Sequence, residues 1–176
     1  MKVGDKIPNI TFHTRVDGDW KDVTTREMFA GKRVVIFSLP GAFTPTCSTK
    51  QLPGYEDNYE EILNREIDEV YCVSVNDSFV MNAWAEHLGI ENVKMIPDGN
   101  GELTKRMGMD TTFNNRGFGM RSWRYSAVIN DMTVENVHIE PDRVLDSGPD
   151  PFEVSDADTM IKYLDKAHEF TEEWYK

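Results

Sequence analysis

The sequence predicts an α/β fold built on a mixed central sheet, and three observations carry that reading. From Arg33 onward, short β-branched runs alternate with segments of helical periodicity, the pattern of parallel strands joined by helices. Further on, strand-like runs at 124–130 and 133–139 are separated only by Asp131-Met132, so they form an antiparallel hairpin. The 176 residues, 39% hydrophobic and 11% aromatic, suit one domain over 1–176 with a core of its own.

The elements follow in order. Residues 11–16 alternate loosely and meet a turn at Asp17-Gly18-Asp19, which predicts an N-terminal hairpin. Thr24-Thr25-Arg26-Glu27 fits a capping box opening a short helix that stops at Gly31. Residues 33–39 read as a buried strand ended by Pro40-Gly41. A helix from about Pro45 is expected to be disturbed at Pro53-Gly54 and to resume through Tyr55 to about Asn64. A second strand covers 69–75, and Ser78 can cap a helix running to about His87 and ended by Gly89. A short strand at 93–96 stops at Pro97, and a short helix spans 101–107. The stretch 110–120, rich in Asn, Gly and Phe, reads as a loop. After the hairpin, Ser155-Asp156-Ala157-Asp158 resembles a capping box, and Met160, Ile161, Leu164 and Ala167 give a helical stripe.

Charge narrows the partners. Acidic residues number 31 against 19 basic ones, a formal charge of -12. Binding nucleic acid or an anionic membrane surface needs the opposite sign, so neither is expected. The longest apolar runs, such as Val34-Val35-Ile36-Phe37, are too short to span a bilayer. Met1-Lys2-Val3-Gly4-Asp5-Lys6-Ile7-Pro8 lacks the apolar stretch of a secretory signal, and the initial Met reads as a native start. Two cysteines are too few for a disulfide scaffold. A cytoplasmic location follows as the expectation, and there a disulfide is catalytic sooner than structural.

The informative stretch is Leu39-Pro40-Gly41-Ala42-Phe43-Thr44-Pro45-Thr46-Cys47-Ser48, where a buried strand becomes a helix. Pro45 suits the first helical turn, where no backbone donor is needed. Cys47 then lies in that turn, where unpaired amides and the positive end of the helix dipole favour a thiolate. Gly41 lets a ligand approach the backbone, and the Thr44 hydroxyl can lie on the same side as Cys47. A buried structural cysteine is the alternative, since free cysteine packs as a small hydrophobe.

Pro40-Gly41-Ala42-Phe43-Thr44-Pro45-Thr46-Cys47 resembles the Pro-x-x-x-Thr-x-x-Cys signature of the peroxiredoxins, in the wording of the type II, or peroxiredoxin-5-like, branch. Three further blocks carry the resemblance in the expected order: Val73-Ser74-Val75-Asn76-Asp77-Ser78-Phe79-Val80-Met81-Asn82-Ala83-Trp84, Pro97-Asp98-Gly99-Asn100-Gly101, and Arg121-Ser122-Trp123-Arg124-Tyr125-Ser126. The resemblance implies a thioredoxin-like fold with an N-terminal hairpin extension. It implies a peroxidase that reduces hydrogen peroxide and alkyl hydroperoxides. By the matching, Cys47 attacks the peroxide and becomes a sulfenic acid, Thr44 positions the substrate, Pro40 shields the sulfur and Arg124 faces the reacting oxygens.

A magnitude explains the need for Arg124. An ordinary thiol is already a few per cent ionised at pH 7. Complete ionisation therefore gains only about 30-fold, roughly 2 kcal/mol. The rest of a dedicated peroxidase's acceleration must come from donors that stabilise the stretched oxygen–oxygen bond. Arg116 and Arg121 are rivals for that role, and only the motif favours Arg124. Gly41, Phe43 and Phe118 are candidate substrate-pocket residues. Trp84 and Phe113 are further apolar candidates, with plain core packing the alternative for every aromatic named. His13, His87, His138 and His168 have no paired ligand spacing, so no metal and no cofactor is expected.

Cys72 lies in a predicted buried strand, which favours a core role. One subgroup of the resembled branch carries its resolving cysteine at this spacing, so a resolving role stays open beside the core reading. Closing such a loop constrains the unfolded chain by only roughly 3.5 kcal/mol, so chain entropy is no obstacle. Pro149-Asp150-Pro151-Phe152 and the capping box after it resemble the branch sometimes fused to a glutaredoxin domain. No Cys-x-x-Cys is present, so a glutaredoxin is expected as a separate protein. Glutathione, glutaredoxin or thioredoxin are the expected reductants, and a homodimer the expected assembly. A thioredoxin-like thiol–disulfide oxidoreductase and a peroxide sensor are the alternatives. The 143–148 segment looks like an insertion, a further departure from the resembled branch.

Overall fold

Arg33–Ser38 (β3) is hydrophobic at nearly every position because it is covered on both sides. In the computed structural model, which describes residues 1–146 and 148–174 and side chains as far as Glu169, β3 is the middle of a five-stranded sheet. Glu69–Ser74 (β4) lies parallel to it, and Lys94–Pro97 (β5) lies parallel to β4. On the other side, Tyr125–Asn130 (β8) runs antiparallel to β3, and Thr133–Ile139 (β9) antiparallel to β8. Asp131 and Met132 join β8 to β9 with φ of 46° and 65°, the twist a tight hairpin turn requires. Mixed sheet and terminal hairpin are as the sequence predicts.

Strand alternation gives the sheet two faces. Val35, Phe37, Val70, Cys72 and Val128 pack against Leu52, Tyr55, Met81, Trp84, Met160 and Leu164. The helices on this face are Leu52–Asp57 (α2), Tyr59–Leu63 (α3), Ser78–Leu88 (α4) and Ala157–Trp174 (α6). Val34, Ile36, Tyr71, Val73 and Ile129 face the other way, onto Phe12, Phe29, Leu103 and Trp123. Phe12 belongs to the N-terminal hairpin of Thr11–Val16 (β1) and Asp19–Thr24 (β2). Phe29 ends Thr25–Phe29 (α1), and Leu103 sits on Glu102–Arg106 (α5). The capping box at Thr24 and Glu27 is formed.

Four local expectations need correction. The helix after Cys47 is not disturbed at Pro53-Gly54; α2 runs through both, and the irregularities fall on either side. Cys47–Gln51 is a π-helical turn in which the Leu52 N–H reaches the Cys47 carbonyl. Widening that turn seats Pro53 at the start of α2, where its missing N–H costs nothing. Asp77, not Ser78, caps α4, accepting the Val80 N–H; the Ser78 hydroxyl accepts the Arg15 N–H instead. Asp156, not Ser155, accepts the Thr159 N–H at the start of α6. The 110–120 stretch is not plain loop. Asp110–Thr112 (β6) and Met120–Ser122 (β7) pair antiparallel, strands too short to show periodicity in sequence.

Candidate active site

The site is assembled where β3 ends. The chain leaves Ser38, passes buried Leu39, Pro40 and Gly41, and turns through Phe43 at φ 62°. The Ala42 N–H donates to Asn76 Oδ1 at 3.0 Å, which fastens the turn to the end of β4. Pro45 begins the helix and Cys47 falls in its first turn. Trp84 Nε1 donates to Ser48 Oγ at 2.9 Å, and Tyr55 stacks on Phe37 at 4.0 Å between centroids. These contacts hold the π turn against the sheet.

The Cys47 side chain is fully buried, with its thiol free. Arg124, also buried, comes from the residue before β8. Its Nη1 donates to Cys47 Sγ at 3.4 Å and to Gln51 Oε1 at 2.5 Å. Cys47 and Gln51 are four residues apart, so the turn presents both to one guanidinium nitrogen. Nη2 donates to both carboxylate oxygens of Asp150, at 2.7 and 2.8 Å. Burial opposes the arginine's charge, but Cys47 and Asp150 outweigh it and hold its pKa above the usual value. The Thr44 hydroxyl donates to the Gly41 carbonyl at 2.7 Å, which leaves its oxygen free to accept.

A pocket of about 350 Å³ opens over this turn, lined by Pro40, Thr44, Pro45, Thr46, Arg116, Phe118 and Asp150. A water molecule occupies about 30 Å³ of liquid, so the space exceeds what hydrogen peroxide needs and admits an alkyl group. Of the three candidate substrate-pocket residues, Phe118 lines this pocket, and Gly41 and Phe43 do not. Phe43 is 52% exposed and packs against His87. A Cβ on Gly41 would come within 2.9 Å of Arg121 Nη1, so that glycine makes room for the arginine. Trp84 and Phe113 are core residues.

The rival arginines make their hydrogen bonds to backbone carbonyls. Arg121 donates to the carbonyls of Phe118 and Pro40 and lies over the Phe118 ring; burial lowers its pKa. Arg116 lies over Phe113 and donates to the Gly148 carbonyl. Cys72 sits mid-strand in β4, fully buried on the same face as Cys47, and burial pushes its thiol pKa well up. Among the described residues no group of three or more His, Cys, Asp or Glu is gathered to hold a metal, and no helix is long and apolar enough to cross a membrane.

Sequence reasoning missed Gln51, Asp150 and Glu140. Gln51 had a usable signal in its spacing from Cys47. Asp150 sat within a stretch noted only for its likeness to the fused branch. Glu140 is buried and takes hydrogen bonds from the Glu153, Val154 and Ser155 amides at 2.9 Å, closing the base of the 141–152 loop.

A buried thiol under a fixed guanidinium, at the strand-to-helix junction of a thioredoxin-like sheet, defines a thiol-based redox enzyme. The redoxin family matches residues 2–161, and the chain belongs to it. It is 50% identical over 169 residues to a peroxiredoxin of Synechocystis, covering 91% of this chain and 89% of that one. It is 52% identical over 169 residues to a hybrid peroxiredoxin of Haemophilus influenzae, covering 96% of this chain and 68% of that one. It superimposes with a TM-score of 0.84 and 35% identity on a reduced Vibrio vulnificus peroxiredoxin solved with hydrogen peroxide, covering 93% and 99% of the two chains. The protein is a peroxiredoxin, a thiol-dependent peroxidase.

Proposed function

We propose that this enzyme reduces hydrogen peroxide and alkyl hydroperoxides through a sulfenic acid on Cys47 and is regenerated by glutathione, usually with glutaredoxin. The single observation that carries the reading is Arg124 Nη1 at 3.4 Å from the Cys47 sulfur. The Cys47 thiolate attacks one peroxide oxygen. The sulfur–oxygen bond forms as the oxygen–oxygen bond breaks, and the departing oxygen takes a proton to leave as water or alcohol. Negative charge thus moves from sulfur to oxygen across the face of Arg124, which stabilises it at both ends of the step. The Thr44 oxygen accepts a hydrogen bond from the peroxide, and Pro40 keeps bulk water from the sulfur. Because the site is buried, these donors work in a low dielectric.

Glutathione then attacks the sulfenic acid, releasing water and leaving a mixed disulfide at Cys47. A second glutathione attacks the glutathione sulfur of that disulfide, releasing Cys47 and oxidised glutathione; a glutaredoxin thiol in its place carries off the glutathionyl group as a mixed disulfide. Likeness to the glutaredoxin-fused branch supports this route, as does the burial of Cys72. The hydrogen peroxide held by the Vibrio relative supports the substrate. The reading treats 1–176 as one catalytic domain and takes a cytoplasmic homodimer as its setting, on resemblance alone. The deciding assay supplies glutathione, glutathione with glutaredoxin, and thioredoxin separately and follows peroxide consumption. Turnover only with thioredoxin would overturn the assignment of the reductant. Cys47→Ser should abolish turnover with all of them, because a serine hydroxyl is not ionised at neutral pH.

A further inference from the structure

Arg124 is the group on which the proposed chemistry turns, and its orientation is set unusually far from its own strand. The side chain is buried, yet its Nε has no hydrogen-bond partner. Among the described residues the planar guanidinium is therefore hydrogen-bonded only through its two Nη nitrogens, while its Cζ lies 5.8 Å over the Phe152 ring. Nη1 faces the reacting sulfur and Gln51; among the described residues Nη2 donates to Asp150 alone. A plane gripped at one nitrogen can pivot about that point, whereas one gripped at two is fixed. Asp150 supplies the second grip.

The chain around Asp150 is built to deliver that carboxylate. Pro149 and Pro151 flank it, so the backbone on either side is stiff and Asp150 itself is biased to an extended conformation. The 141–152 loop is closed at its base by Glu140, whose N–H donates to the Arg124 carbonyl while its carboxylate gathers the amides of 153–155. Its far side is tied down as well. Arg143 donates to the Gly108 carbonyl at 2.7 Å, the Asp146 N–H to the Thr112 carbonyl at 2.8 Å, and the Asn114 N–H to Asp146 Oδ1 at 2.6 Å. Arg143 and Asp146 thereby anchor the chain ahead of Asp150 to the 108–114 stretch. Asp150 is still about one quarter exposed, so it sits where the pocket meets solvent.

We propose that Asp150 is a positioning residue that acts through Arg124, locking the guanidinium plane so that Nη1 points at the Cys47 sulfur and the bound peroxide. This inference rests on the reading of Arg124 given above. Removing Asp150 leaves Nη2 unpartnered in a buried site and frees the plane to turn. Asn at this position keeps one acceptor oxygen for Nη2 and should preserve part of the lock.

The test is the second-order rate constant for Cys47 oxidation by hydrogen peroxide, read by stopped-flow tryptophan fluorescence. Four proteins are compared with the parent: Asp150→Ala, Asp150→Asn, Arg124→Lys, and Arg124→Lys with Asp150→Ala. Asp150→Ala should lose at least fivefold, and Asp150→Asn should recover part of that loss. In the Arg124→Lys background, where no plane remains to lock, removing Asp150 should cost less than fivefold. A loss under fivefold for Asp150→Ala in the parent overturns the proposal. So does a fivefold or larger loss in the lysine background, which would make Asp150 an anchor for the loop alone. If Arg124→Lys itself reacts as fast as the parent, the reading of Arg124 fails and this inference falls with it. A fast Asp150→Ala beside a slow Arg124→Lys refutes only the inference.

Discussion

Ser155 donates to Glu140 twice, from its N–H at 2.9 Å and from its hydroxyl at 2.8 Å, and both groups are buried. The same carboxylate collects the Glu153 and Val154 amides. Ser155 in turn accepts from the Tyr55 hydroxyl at 2.9 Å through its carbonyl. One side chain thus ties the end of β9, the start of α6 and the helix behind Cys47.

Glu140→Gln should therefore cost far more than a surface carboxylate. All four donors meet Oε1, which the amide keeps without its charge, but the amide turns an NH2 donor onto the Glu153 N–H in place of Oε2. The expected loss is about 3 kcal/mol. Urea unfolding at pH 7 checks it, as a lower midpoint with an unchanged slope. A loss below about 1 kcal/mol would show that the loop relaxes to rescue its own amides.

Among the arginines, Arg124→Met should slow Cys47 oxidation by roughly a hundredfold or more, the scale seen when a charge-stabilising donor is lost. Arg121→Met should do less, because Arg121 donates to the Pro40 and Phe118 carbonyls and shapes the wall. Arg116→Met should do least, as its contacts are to Phe113 and Gly148. Stopped-flow oxidation at a fixed pH ranks the three. Arg121→Met as the slowest variant would move the role to the wrong residue.

The parts legible in the sequence were those with local signals. The hairpin turn at Asp17-Gly18, the capping box at Thr24 and the β-branched run of β3 each state their structure within a few residues. Placement of Cys47 in a first helical turn followed from Pro45. Asp150 and Glu140 were not legible, because their partners lie across closures of 26 residues and of 13 to 15 residues, and spacing carries no trace of them. The π turn escaped for another reason. Pro53 announces trouble in a helix, but only packing decides on which side of the proline the chain absorbs it.

Trp84 should carry the fluorescence change that accompanies oxidation. Its indole N–H bonds Ser48, next in sequence to Cys47, while Trp20 is exposed on the N-terminal hairpin and Trp123 bonds the Glu140 carbonyl. Trp84→Phe should remove most of the signal while peroxide turnover persists. Full retention of the signal would assign it to one of the other three tryptophans.

The buried Cys72 thiol gives a pH signature. Burial raises its folded-state pKa above the unfolded value of about 8.5. The folded state then holds the proton longer than the unfolded one, so the stability from this group is intact below about pH 8.5 and is lost as pH rises beyond it. The slope approaches about 1.4 kcal/mol per pH unit. Urea unfolding of the parent and of Cys72→Ala at pH 7.5, 8.5 and 9.5 isolates it, since other groups cancel in the difference. The parent's advantage should shrink between the last two points. A constant difference would mean that Cys72 is solvated.

The last prediction concerns whether Cys72 resolves the oxidised enzyme. It sits in the register of β4 between Phe37 of β3 and Met95 of β5, and its pKa is raised by burial, so it is a protonated and poorly nucleophilic thiol in the folded state. A disulfide to Cys47 is expected to disturb the π turn, at the expense of the Trp84–Ser48 bond and the Tyr55–Phe37 stack. Glutathione is expected to enter by the pocket at Pro40 and Thr44. Cys72→Ala, which buries no new hydroxyl, should therefore retain glutathione-dependent turnover within about twofold and lose any thioredoxin-dependent turnover, since thioredoxin acts on a protein disulfide. Mass spectrometry after one equivalent of peroxide should find Cys47 oxidised singly, and glutathionylated once glutathione is added. A quantitative Cys47–Cys72 disulfide, together with loss of all turnover in Cys72→Ala, would make the enzyme an obligate two-cysteine peroxidase. It would also place local unfolding of α2, not the encounter with glutathione, at the centre of its cycle.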